Sequence, residues 1–141
     1  MLPGRVRVKV GLIACSGEAL PLGTVTRLAV RRVLETLRPE DTVTICLPLF
    51  LAGEERERGF ARKFPTITID GCEKRCAALA TAKYSATTAA SIVLPDLLAE
   101  RGLAPPRELR AADEAGRRAI DETAAAIAEQ VDRLLAGERP E

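Results

Sequence analysis

Four short apolar runs rich in β-branched residues recur along the chain, and the stretches between them carry apolar residues at helical spacing instead. The runs are Val6 to Ala14, Thr42 to Leu47, Thr66 to Asp70 and Ala90 to Leu94. After the first, Pro21 suits the opening turn of a helix. Val25, Leu28, Ala29, Val33 and Leu37 then form an apolar stripe opposite Arg27, Arg31 and Glu35, and Pro39 ends it. Near the C-terminus, Ile120, Ala124, Ile127, Val131 and Leu134 predict a long amphipathic helix from about Ala111 to Leu135.

Strands alternating with helices imply right-handed βαβ crossovers and a parallel sheet covered on both faces. The expected fold is therefore α/β: a three-layer Rossmann-like domain, with a mostly parallel sheet of about four strands, helices on both faces and a long C-terminal helix. Between the second and third runs, Leu49 to Lys63 predicts a loop leading into a solvated helix, with Phe60 and Phe64 turned inward. Leu97 to Arg101 predicts one helical turn, and Gly102 to Pro106 a turn or linker. With 141 residues, 47% of them hydrophobic, a single domain spanning residues 1–141 can bury its own core and should not need a metal in order to fold.

The cysteines fall where such a sheet does its chemistry. Cys15, Cys46 and Cys72 each lie at the carboxyl end of a predicted strand, and Cys76 follows the third. Ligands of open α/β sheets bind beyond those ends, where strand order reverses. The third run delivers Asp70-Gly71-Cys72, and an alanine-rich stretch follows Cys76. A helix starting near Cys72 would set Cys72 and Cys76 at i and i+4, on one face.

Composition removes many alternatives. The chain has no His, which excludes Ser-His-Asp and Cys-His catalysis and the His-based zinc hydrolases. A net charge of +1 and 3% aromatic residues argue against a nucleic-acid partner. A phosphatase loop needs Arg six residues after its cysteine, but Pro21, Ala78 and Ala82 stand at that offset from Cys15, Cys72 and Cys76. No CxxC, Walker or dinucleotide glycine motif is present. Leu12-Ile13-Ala14-Cys15, behind Arg5, Arg7 and Lys9, has the look of a lipoprotein cleavage box. Its apolar part, Val10 to Ala14, is too short for an export segment and reads as a strand. No run approaches a membrane span, so a cytoplasmic protein with reduced thiols and no membrane partner is expected.

Cys15-Ser16-Gly17, Cys46-Leu47, Asp70-Gly71-Cys72 and Cys76-Ala77, in this order and at these separations, resemble the DGC domain family. The resemblance covers roughly Val8 to Gly102. It implies one zinc ion held through Cys15, Cys46, Cys72 and Cys76, with no settled activity; because the fold should stand without metal, the expected role of the site is metal handling, metal sensing or thiol chemistry. The family usually shows an Asn and a Gly-Gln step where this chain has Ala19-Leu20-Pro21-Leu22-Gly23-Thr24, and a glycine-rich stretch where it has Pro48 to Gly53.

Four thiolates around Zn²⁺ make a closed tetrahedral site with a net charge of about −2, which Lys74, Arg75 or backbone amides could offset. Asp70 is expected to act as a helix cap, Gly71 to permit a sharp turn, and Ser16 and Gly17 to stand around the site. Two other uses of the same cysteines stay open at this point. One is an iron-sulfur cluster; the other is thiol redox or sulfur-transfer chemistry at Cys15 and Cys72, each ahead of a helix.

Overall fold

The computed structural model describes residues 8–137. Four strands, β1 (Val10–Ala14), β2 (Thr42–Thr44), β3 (Thr66–Asp70) and β4 (Ala90–Val93), form one sheet in the order β2-β1-β3-β4, and every pairing is parallel. The expected α/β architecture is thus the one observed. The part of the first run at Val6 and Arg7 lies outside the described residues.

Strand alternation distributes the core over two faces. Val10 and Leu12 of β1 join Ile67 and Ile69 of β3 on one face. There they meet Val25, Ala29 and Val30 of α1 (Pro21–Arg32) and Ala124, Ile127 and Val131 of α7 (Glu114–Leu135). On the opposite face, Ile13 packs with Phe60 of α4 (Phe60–Lys63) and Ala77 of α5 (Cys76–Tyr84). From β1 the chain runs through α1 to β2, then crosses back past β1 to reach β3 and β4. The winding direction therefore reverses between β1 and β3, which sets the crevice at their carboxyl ends.

Helix α1 starts at Pro21 as expected and passes into a π-helical turn, Val33–Leu37, closed by the Arg38 amide on the Val33 carbonyl at 2.8 Å. Arg38 leaves the helical region (φ −143°, ψ 54°), consistent with the proline that follows it. Helix α7 begins at Glu114, later than Ala111, because Asp113 caps it: its Oδ1 accepts from Gly116 N at 3.0 Å.

Other boundaries differ from expectation. Strand β2 stops at Thr44, whose hydroxyl donates to the Leu12 carbonyl at 2.6 Å. Leu47, expected to end the second strand, instead opens α2 (Leu47–Leu51), and Leu49 to Lys63, expected as a loop and one helix, supplies the rest of α2 with α3 (Glu55–Arg58) and α4, with Phe50 and Phe60 buried as anchors. Pro48 and Pro95 occupy the first turns of α2 and of α6 (Leu94–Glu100), where a fixed φ and a missing amide cost nothing. A helix therefore begins at Leu94, earlier than the single turn expected from Leu97.

Candidate metal centre at the sheet's carboxyl rim

The rim is built where the backbone of α1 meets the ends of β1 and β3. A Cβ on Gly23, in the first turn of α1, would lie 2.0 Å from the Gly17 carbonyl oxygen, so only glycine allows this approach. A Cβ on Gly71 would lie 3.0 Å from Gly23 N and from the Leu22 carbonyl carbon. Gly17, Gly23 and Gly71 thus bring three backbone segments together behind Cys15.

Cys15 is half-buried and held on several sides. Its amide donates to the Ile69 carbonyl at 2.9 Å, extending the β1–β3 ladder, and its Sγ accepts from Gly71 N at 3.3 Å. Thr26 Oγ1 stands 3.8 Å from the same sulfur. That hydroxyl is fully buried; it donates to the Gly23 carbonyl at 2.6 Å and accepts from Ser16 N at 3.1 Å. Thr26 therefore locks the turn after Cys15 onto α1. Its sequence signal was weak, since a threonine within an apolar helical stripe reads as ordinary packing.

Asp70 closes the other side. Its buried carboxylate accepts from Ala77 N at 2.7 Å through Oδ1 and from Ala78 N at 3.2 Å through Oδ2, so it caps α5. Burial pushes the Asp70 carboxyl above its ordinary value, and the two amides, with Arg75 nearby, pull against that. This capping fixes the start of α5 at Cys76. Residues 72–75 form a turn closed by the Arg75 amide on the Cys72 carbonyl at 3.2 Å, and Arg75 takes a left-handed conformation (φ 54°). Cys72 and Cys76 therefore do not share a helical face as i and i+4.

The four cysteines are all free, with Cys15 and Cys72 half-buried and Cys46 and Cys76 exposed. Cys46 lies two residues beyond the end of β2 and precedes α2. Gly71 N, bonded to the Cys15 sulfur, brings the segment before Cys72 against Cys15, whereas Cys46 and Cys76 are exposed. Among the described residues, no three Cys, Asp or Glu side chains form a group that could hold a metal ion. Lys74 is exposed, and the Arg75 guanidinium turns to the Ser91 hydroxyl at 3.0 Å.

Backbone strain marks the same places. Ser16 and Arg75, with φ 54° each, are two of the three left-handed non-glycine residues described, the other being Ala111. Ser16 follows Cys15 directly and Arg75 directly precedes Cys76. Such conformations cost on the order of 1–3 kcal/mol each and persist only where the surroundings impose them. Here those surroundings are the Thr26 and Asp70 hydrogen bonds.

Among the described residues, no helix is long and apolar enough to cross a membrane. No curated protein and no solved structure matches the chain. The DGC domain profile matches residues 11–131, which takes in β2, β3 and β4, all of β1 but Val10, all four cysteines and most of α7. An alignment over that much of the chain establishes the relationship: the protein belongs to the DGC domain family.

Proposed function

We propose that this protein binds one zinc ion through Cys15, Cys46, Cys72 and Cys76, and that it serves in metal handling or sensing. The observation supporting this reading is the parallel pairing that puts the carboxyl ends of β1, β2 and β3 on one edge, each followed within two residues by a cysteine, with a fourth cysteine opening the helix that Asp70 caps. The donor set suits the metal: thiolates hold Zn²⁺ tetrahedrally at about 2.3 Å. The Gly71 amide, already donating to the Cys15 sulfur, would offset part of the charge of a four-thiolate site. Exposed Cys46 and Cys76 would complete coordination as the rim closes over the ion. Binding would thus organise the rim rather than the core, as a handling or sensing site requires.

X-ray absorption at the zinc edge on loaded protein tests the ligand set. Four sulfurs near 2.3 Å are expected, falling to three in Cys46→Ser and in Cys76→Ser. A shell dominated by oxygen in the native chain would overturn the assignment. One observation favours thiol redox or sulfur-transfer chemistry as the second reading: the Cys15 sulfur borders a cavity and is held in place by the Gly71 amide. Stoichiometric labelling of Cys15 in zinc-loaded protein would favour that use.

A further inference from the structure

Four-cysteine coordination leaves unused the cavity that Cys15 and Ser16 border. It measures about 420 Å³ and opens between α1, the end of β2 and α2. Small-molecule sites typically span roughly 300–1,000 Å³. It lies beyond the carboxyl ends of β1 and β2, one strand to the side of the point between β1 and β3 where the winding reverses. The walls are aliphatic, with Val30 and Leu34 on the α1 side and Leu47 and Leu51 on the α2 side.

Three charged side chains also line it: Glu18, Arg27 and Arg31. Arg31 is engaged, donating to Glu35 at 2.6 Å. Among the described residues, Glu18 and Arg27 make no ion pair or side-chain hydrogen bond. One free anion and one free cation on an aliphatic cavity match a ligand carrying the inverse: one carboxylate, one ammonium and a branched apolar body. A monocarboxylate would leave Glu18 unmatched and repelled. A phosphate ester would bring two charges to a single free guanidinium.

We propose that this cavity binds a free α-amino acid with an aliphatic side chain. Arg27 takes the carboxylate through its planar fork, Glu18 takes the ammonium, and the α1 and α2 walls enclose the side chain. This goes beyond the metal reading and does not depend on it.

Calorimetric titration of the full chain with L-leucine, L-isoleucine and L-valine tests the proposal, with 4-methylpentanoate and 3-methylbutylamine as ligands lacking one charge each. Saturable binding of at least one amino acid is expected, with each single-charge analogue at least tenfold weaker. Arg27→Gln and Glu18→Gln should each weaken that binding at least tenfold while leaving thermal melting and zinc content unchanged, because both side chains are exposed and unpaired. Failure of all three amino acids to bind would overturn the proposal. So would equal binding of the carboxylate or amine analogue, or an unchanged affinity in both variants.

Discussion

The Gly71 amide donates to the Cys15 sulfur at 3.3 Å, joining the carboxyl ends of β3 and β1 across the point where the sheet reverses its winding. That bond depends on two glycines. Gly23 admits α1 to the Gly17 carbonyl, and Gly71 sits so close to Leu22 and Gly23 that an added Cβ would press on their backbone at 3.0 Å.

Substituting these glycines should therefore have graded effects. For Gly71→Ala, a Cβ at 3.0 Å from backbone atoms forces a small shift, with an expected loss of about 1–3 kcal/mol in urea unfolding. Gly23→Ala, with a Cβ at 2.0 Å from a carbonyl oxygen, should lose more and disturb folding itself. An order of stability with Gly23→Ala above Gly71→Ala would contradict this packing.

Asp70 and Asp132 should give opposite pH dependences. The Asp70 carboxyl is raised from 3.8 chiefly by burial, so the folded chain holds this proton more firmly than the unfolded one. Its contribution is greatest below the ordinary value and is lost as pH rises through the raised one. Asp132, lowered from 3.8 chiefly by the Arg38 fork at 2.7 and 2.8 Å, contributes fully above the ordinary value and loses its effect as pH falls through the lowered one. Urea unfolding across this range should show Asp70→Asn removing the decline on the rising side and Asp132→Asn removing the loss on the acid side. The Asp132 effect should be small, about 0.5–1 kcal/mol and reduced by salt, because the pair is half-exposed.

Thr26→Val removes the hydroxyl that accepts from Ser16 N and donates to the Gly23 carbonyl. We expect a loss of about 1–3 kcal/mol from the unpaired groups, together with faster labelling of Cys15 by a thiol reagent. Thr26→Ser should restore both. Unchanged labelling in Thr26→Val would mean that the hydroxyl does not position the cysteine.

Much of this arrangement was legible in the residues. The run Thr66 to Ile69 before Asp70-Gly71 named β3 and its end, because β-branched residues followed by Asp-Gly have few other uses. The stripe from Val25 to Leu37 named α1 and its π-helical continuation as one helix. The start of α5 was hidden, since arginine does not announce a left-handed conformation and the alanines after Cys76 fit a helix beginning at either cysteine. Gly23 did carry a signal: a glycine in the first turn of an apolar-striped helix weakens the helix unless another backbone must come close. Thr26 carried only a weak one, because its role lies in hydrogen bonds between segments that only the fold brings together.

Chelation should leave the fold standing. The larger core cluster runs from Val10, Leu12 and Ile67 to Ile127 and Val131 and contains no cysteine. Zinc-free protein prepared with a strong chelator should therefore still melt in one cooperative transition, and added zinc should raise that transition with the logarithm of free zinc. Collapse of helical circular dichroism on chelation would make the metal structural and would contradict a handling or sensing role.

The most direct measurement is metal content by elemental mass spectrometry on untagged protein purified without oxygen, set beside the same measurement on Cys72→Ser. The account predicts one zinc per native chain and its loss in the variant. Iron in place of zinc, or no metal with four titratable thiols, would contradict it.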